Sequence, residues 1–281
     1  RRVLFRSSDN SLDKVEIVRG PAGLIYGADA LGGALIFIDE KPAAIGTAKG
    51  DVNVGFHTNT LGYNLDIGVK GTSAKGIFYS LRAGMVNHTS YLQGDSGSTA
   101  VKNTEFKPFA PNSKFGNKSL KGTIGVSRKW GVSKLTYSLF NQKTGMIEDE
   151  GGVIQSPDIF NHEQRNSSYE APYQDVTTHL LSNENTIVVK QSKINFNLAY
   201  QFNNRQEFEP NGLKKAGERA FGLKLNTITY DAKWSSDAEK KFGLTVGSQG
   251  MIQSNENYGL EGLVPDAKVN DFAGYAQIGR A

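Results

Sequence analysis

Three groups of residues in this chain could do chemistry. The first is a glycine-rich stretch in which Glu16, Arg19, Gly20, Pro21, Tyr26, Gly27, Gly32 and Gly33 lie close together. So many glycines suggest a phosphate-cradling loop, but no Gly-Lys-Ser/Thr follows them and no helical pattern opens afterwards. The second group is four histidines, His57, His88, His162 and His179, scattered without a ligand spacing such as H-x-x-x-H. They read as ordinary polar residues of loops or of a lumen. The third is the acidic run Glu148, Asp149 and Glu150, which suits a cation or a basic ligand, or simply a solvated loop tip. The chain has no cysteine, so no thiolate nucleophile, thiolate metal site or disulfide is available. No nucleophile elbow, catalytic triad or carboxylate pair is visible. The expected chemistry is recognition without catalysis, with no cofactor and no metal site.

The elements that position these residues are strands, because the dominant periodicity is two. In 194–202, Ile194, Phe196, Leu198, Tyr200 and Phe202 share one face while Asn195, Asn197, Ala199 and Gln201 share the other. Leu61, Tyr63, Leu65, Ile67 and Val69 alternate in the same way with Gly62, Asn64, Asp66, Gly68 and Lys70. Ile77, Tyr79, Leu81, Ala83 and Met85 repeat the pattern against Ser80, Arg82 and Gly84. The spacing predicts ten strands after the first domain: 50–58, 61–70, 76–87, 118–129, 133–143, 175–189, 193–205, 221–234, 242–253 and 270–277. No apolar run approaches the roughly 18 residues a spanning helix needs.

Connection lengths alternate as well. Short links follow the second, fourth, sixth and eighth strands, and longer ones follow the third, fifth, seventh and ninth; the first outer loop, at Asn59 and Thr60, is an exception. Up-and-down transmembrane barrels have this asymmetry of short periplasmic turns and longer extracellular loops. A soluble β-sandwich also alternates, but its strands are generally shorter and nothing keeps every second loop long. Tyr79, Tyr137, Tyr200, Phe202, Tyr230 and Trp234 then read as membrane-interface girdle residues, with a soluble core as the other reading.

Residues 12–41 read LDKVEIVRGPAGLIYGADALGGALIFIDEK. This resembles the C-terminal section of the plug of TonB-dependent outer-membrane receptors, whose pattern runs E-V-x-R-G-P, then Y-G, then G-G and a strand. Glu16, Arg19, Gly20, Pro21, Tyr26, Gly27, Gly32 and Gly33 fall at the family's spacing. From the residues alone the segment reads as strand, turn, compact loop, double-glycine turn and strand, with 15–18 and 34–38 as the strands. The resemblance implies that Arg19 locks the plug to the barrel wall through carboxylates on strands beyond this segment. An unpaired buried charge would be costly, and a strand-end arginine facing water is the plainer alternative.

The two ends have another resemblance. Residues 1–7, RRVLFRS, resemble the in-frame translation of a common sequencing adapter, and residues 278–281, IGRA, that of its reverse complement. The formal charge of +4 includes Arg1, Arg2, Arg6 and Arg280; with those four set aside the balance is neutral and no longer points to nucleic acid. The expected organisation is therefore 1–7 adapter-like, 8–45 the end of a plug domain, 46–277 the N-terminal half of a barrel, and 278–281 adapter-like.

The fold class expected is all-β: an incomplete antiparallel up-and-down transmembrane β-barrel preceded by the end of a small plug. The resemblance implies active uptake of a scarce ligand across the outer membrane of a Gram-negative bacterium, an iron–siderophore complex first, with cobalamin or a glycan as alternatives. Its partners would be outer-membrane lipid, the TonB energy-transducing complex and the iron chelate, with no nucleic acid. The pieces QSNENYG and LVPD within 249–265 resemble receptors common in Bacteroidota. A passive porin-like barrel and a soluble β-sheet binding protein stay open. Ten strands cannot close a barrel wide enough to hold a plug, which takes about 22.

Overall fold

The computed structural model describes residues 12–20, 32–92, 109–110, 112–146, 165–169, 171–209, 219–236 and 242–280. Every regular element among them is a strand. β1 (Leu12–Arg19) and β2 (Gly33–Asp39) pair antiparallel, with Val15 opposite Phe37 and Ile17 opposite Leu35. The ten predicted strands all form: β3 (Thr47–His57), β4 (Gly62–Thr72), β5 (Ile77–His88), β6 (Phe115–Arg128), β7 (Gly131–Gly145), β8 (Tyr173–Val189), β9 (Ser192–Phe208), β10 (Arg219–Ser235), β11 (Phe242–Asn257) and β12 (Ala267–Arg280). Each pairs antiparallel with its neighbours in chain order, giving one up-and-down sheet open at β3 and β12.

Alternation explains why these segments form strands and which face each presents. Leu198 lies opposite Tyr230 and Asn183, Tyr200 opposite Ile228 and Leu181, so the apolar sets of adjacent strands share one face. That face is bare. Val54 is 74% exposed, and Ile67, Ile124, Leu198 and Ile252 are exposed as well. Buried residues cluster on the opposite face, among them Asp66, Phe78, Arg82, Thr136, Ser138 and Phe140. A sandwich would bury the apolar sets of two sheets against each other. Here, among the described residues, a single wide sheet turns its apolar face away from the protein. No helix among those residues is long and apolar enough to cross a membrane, which says nothing of strands.

The inner turns are tight. Between β4 and β5 the Ile77 amide donates to Ser73 Oγ at 3.1 Å, and Gly76 takes φ +69° to close the reversal. β7 leaves its turn at Gly131, and β8 passes to β9 through Lys190 and Gln191.

The strands depart from the predicted limits mainly at the opposite, outer end. β6 begins three residues earlier, β9 runs on to Phe208 rather than 205, β11 to Asn257 rather than 253, and β12 begins at Ala267 rather than 270. The physical reason is that alternation marks a strand only where one face meets something apolar. At the outer ends the apolar set of the outward face gives way to residues such as Lys118, Asn204, Glu256 and Lys268, so the backbone ladder continues after the sequence pattern has faded.

Candidate functional site

The β1–β2 pair leads directly into the wall through its acidic tail. Asp39, the last residue of β2, accepts a hydrogen bond from Lys121 Nζ at 2.5 Å and lies 3.6 Å from Lys134 Nζ. Lys134 also reaches Glu184 at 3.1 Å. Glu40 lies 3.3 Å from Lys70 Nζ and 3.7 Å from Arg82. The chain then runs along β4, where Lys70 Nζ donates to the Lys41 carbonyl at 3.3 Å and Thr72 Oγ1 to the Ala43 carbonyl at 2.7 Å. The polar face of the sheet is therefore the face that carries the β2 tail.

Arg82 is the centre of this seam. It is 8% exposed and donates to Asp51 at 2.8 and 3.0 Å and to Asp66, itself 3% exposed. Lys121 is its direct neighbour across β5 and β6. Like charges placed opposite one another in a sheet repel, and here Asp39 and Glu40 compensate them. The arrangement resists separation of the β2 tail from the wall, because withdrawing Asp39 and Glu40 breaks the ion pairs of Lys121 and Lys70, while Arg82 and Lys134 keep carboxylates of the wall.

The outer end is knitted differently, by side chains that reach between loops. Asn59, in the short first turn, donates to the Leu92 carbonyl at 3.1 Å and accepts from the Leu92 amide at 3.0 Å. Arg165 Nη1 donates to the Asn59 carbonyl at 2.5 Å and the Ser90 carbonyl at 3.2 Å, with its guanidinium 4.8 Å over the Phe109 ring. Asn112, 1% exposed, donates to the carbonyls of Met146 and Pro172 at 3.0 and 2.5 Å. Lys114 Nζ donates to Asn87 Oδ1 at 3.0 Å and lies 4.9 Å over the Tyr169 ring. Burial lowers the Lys114 ammonium from its ordinary range, and burial followed by the charge of Asp175 raises the Tyr169 hydroxyl. This bed of loop bases fixes the positions from which the longer outer connections leave the wall.

The predicted motif is only partly within the described residues. Glu16 is exposed and pairs with Lys14 at 2.5 Å, a hydrogen bond that holds the lysine ammonium above its usual range. Arg19 is exposed at the end of β1, opposite Gly33, and meets no carboxylate among the described residues. Gly20 has φ +70° and Gly33 φ +128°; a Cβ on Gly33 would run into the Val18 carbonyl, so the β1–β2 pairing requires glycine there. Gly32 stands in open space. Pro21, Tyr26 and Gly27 lie outside the described residues, as do His162 and the run Glu148, Asp149 and Glu150.

Two histidines that are distant in sequence are neighbours. His57 and His88 have ring centroids 4.9 Å apart; His88 Nδ1 lies 2.7 Å from Thr60 Oγ1, and its ring stacks on Phe115 at 4.3 Å. His179 is neither in a loop nor on the polar face. The register sets it beside Leu139 and Phe202 on the apolar face, where its Nδ1 lies 2.8 Å from the Tyr137 hydroxyl. All six predicted girdle aromatics share that face, but only Tyr79 and Trp234 stand near inner strand ends. The mid-strand tyrosines have their own polar partners, Tyr200 with Asn226 at 2.8 Å and Tyr230 with Ser248 at 3.0 Å. Sequence reading missed Asp39, Glu40, Lys121 and Lys134 as a group. Their signal was charge recurring at polar-face positions, which gains meaning only once strand register brings them together.

No family model and no curated protein matches the sequence. Solved structures do match. A complex of the ferric enterobactin receptor PfeA of Pseudomonas aeruginosa with enterobactin superposes with TM-score 0.74 at 14% identity, covering 96% of this chain and 43% of the receptor. The fold is that of a partial TonB-dependent receptor barrel. The siderophore receptor PirA of Acinetobacter baumannii gives TM-score 0.67 at 16% identity over 95% of this chain and 41% of its own. FpvA of P. aeruginosa, bound to a pyoverdine, gives 0.65 at 12% over 95% and 39%. This chain thus spans about two fifths of the length of the TonB-dependent receptors it resembles.

Proposed function

We propose that this chain is a segment of a TonB-dependent receptor that takes up an iron–siderophore complex across the outer membrane of a Gram-negative bacterium. The carrying observation is a strand pair whose acidic tail, Asp39 and Glu40, is held on the polar face of a ten-stranded up-and-down sheet while the apolar face is left bare. A backbone in hydrocarbon must satisfy all its polar groups internally, which strands achieve only in a closed wall. A porin-like barrel has no use for a strand pair tethered inside it. The receptors PfeA, PirA and FpvA support the siderophore reading through their shared fold.

In this reading 8–45 ends the plug and 46–277 begins the barrel. The terminal 1–7 and 278–281 are translated adapter, and the source is of Bacteroidota type. Arg19, with Glu16, Gly20, Pro21, Tyr26, Gly27, Gly32 and Gly33 shaping the segment around it, locks the plug to carboxylates on later strands. The energy-transducing complex pulls on a plug region preceding residue 8, and no residue of this chain acts as a catalyst. Deletion of the full-length gene abolishes uptake of radiolabelled iron presented as a siderophore complex and leaves small-solute permeation unchanged. Unchanged iron uptake, with loss of cobalamin or oligosaccharide uptake instead, reassigns the ligand. A full-length product that stays folded without detergent removes the receptor reading altogether.

A further inference from the structure

At the outer end of the polar face, strand register gathers two imidazoles that lie far apart in the sequence. His57 closes β3 opposite Gly62, the first residue of β4, and His88 closes β5. Each lies an even number of residues from a member of the charge seam, Asp51 or Arg82, so both rings stand on the polar face. Their strands flank β4, and the side chains meet because Gly62 between them has none: a Cβ there would run into the His88 ring. The ring centroids are 4.9 Å apart.

Each ring has one nitrogen engaged and one spare. His57 Nε2 lies 3.3 Å from Asn64 Oδ1, an oxygen that can only accept, so the proton sits on Nε2 and the lone pair on Nδ1. His88 Nδ1 lies 2.7 Å from the Thr60 hydroxyl, which accepts from it in the tautomer that leaves a lone pair on Nε2. Neither spare nitrogen has a hydrogen-bond partner among the described residues. A partner on the far nitrogen is the support that metal-bound histidines usually have, since it fixes the tautomer and the direction of the ring. His88 is held further by Phe115, stacked on it at 4.3 Å, and is buried, whereas His57 is open to solvent. Lys114, next to Phe115, has its ammonium engaged by Asn87 and the Tyr169 ring.

We propose that His57 and His88 form a two-imidazole site for a divalent transition ion such as Zn2+. With metal–nitrogen bonds of about 2.0–2.1 Å, two imidazoles on one tetrahedral ion put their ring centroids on the order of 5 Å apart, which is the separation of this pair. Ions of this kind favour imidazole, whereas Mg2+ and Ca2+ take oxygen. No third His, Asp or Glu joins the pair among the described residues, so two of four coordination positions fall to water or to a donor atom of an incoming ligand. A bound ion ties β3 to β5 across β4 and so steadies the first outer turn, whose Asn59 holds Leu92 and Arg165. The site stands on this geometry alone and does not depend on which ligand the receptor takes up.

The test uses the full-length protein without a histidine tag, in neutral detergent, titrated calorimetrically with Zn2+ alone at neutral pH. The parent binds one more ion per chain than the double variant His57→Ala, His88→Ala. Thr60→Val, which keeps both rings and removes one supporting hydroxyl, weakens that ion by roughly tenfold. His179→Ala, on the apolar face, leaves it unchanged, and excess Mg2+ does not displace it. Because a protonated imidazole cannot ligate, the affinity falls as pH drops below about 6.5. Gel mobility that stays heat-modifiable shows that each variant keeps its barrel; if the double variant does not, His57→Ala, at the solvent-exposed ring, gives the same comparison alone. An equal number of ions bound by parent and variant overturns the proposal, and so does an extra ion whose affinity is indifferent to pH between 5 and about 7.5.

Discussion

The middle of the wall and its outer rim are built from the same strands under different constraints. Around Leu198, Tyr200 and Ile228 one face is apolar and exposed and the other polar, and single side chains carry the distinction. Around Asn204 and Lys224 the outward face has turned polar, and there and at Asn112 order comes from hydrogen bonds and ring contacts between segments distant in sequence. A third regime holds at the inner half, where Arg82, Lys121 and Lys134 surround the acidic tail of β2. An exposed apolar face is local and can be read one strand at a time. Polar knitting and charge seams are non-local and exist only in the assembled sheet.

The comparison can be broken most forcefully at Arg82. Arg82→Ala removes the guanidinium that the buried Asp66 and the neighbouring Asp51 share, a loss on the order of 3–5 kcal/mol. Denaturant midpoints of the full-length protein refolded into vesicles measure it, and an unchanged midpoint would mean that the seam contributes nothing. Next comes a paired charge insertion. Leu198→Arg costs about 2–4 kcal/mol if Leu198 faces the middle of the bilayer, whereas Asn204→Arg, further out on the same strand, costs about 0–1 kcal/mol. Equal costs would erase the distinction between middle and rim.

A smaller effect sharpens the rim. Asn112→Ala removes the side-chain donor to the Met146 carbonyl and one of the two donors to the Pro172 carbonyl, which keeps the Met146 amide, and costs about 1–3 kcal/mol. It should show as faster amide exchange at Met146 and Gly145, with the exchange of β9 unchanged. The smallest effect is at Asp266, whose carboxyl is held below its ordinary range first by the Asn257 amide and then by the Asn257 side chain. A depressed carboxyl contributes order above its unfolded pKa and loses it as pH falls through the folded value. The protection factor of the Asn257 amide, its exchange rate corrected for the intrinsic pH dependence, should therefore fall on acidification in the parent and stay flat in Asp266→Asn.

What could be read from the sequence follows the same division. All ten wall strands and the two strands of the N-terminal segment were visible, because alternation and a glycine-rich reversal are local signals. Strand ends such as 115–117, 206–208 and 254–257 were missed where the outward face no longer carries a run of apolar residues and period two fades. His179 was misjudged because a histidine on an apolar face is tolerated only when a partner such as the Tyr137 hydroxyl is present, and that partner lies on another strand. Of the expected site, Gly33 has its reason in the close approach of Val18, while Asp39 and Glu40 went unnoticed because their cations are far away in sequence.

The central claim, that alternate residues of the wall meet lipid, can be tested directly because the chain has no cysteine to remove. Single cysteines at Ile194, Lys193, Phe196, Asn195, Leu198, Asn197, Tyr200 and Ala199 of the full-length protein would carry nitroxide labels in native outer membranes. The account predicts that labels at Ile194, Phe196, Leu198 and Tyr200 are relaxed by oxygen dissolved in the bilayer, while those at Lys193, Asn195, Asn197 and Ala199 are relaxed less. Two sets with the same oxygen response would contradict it.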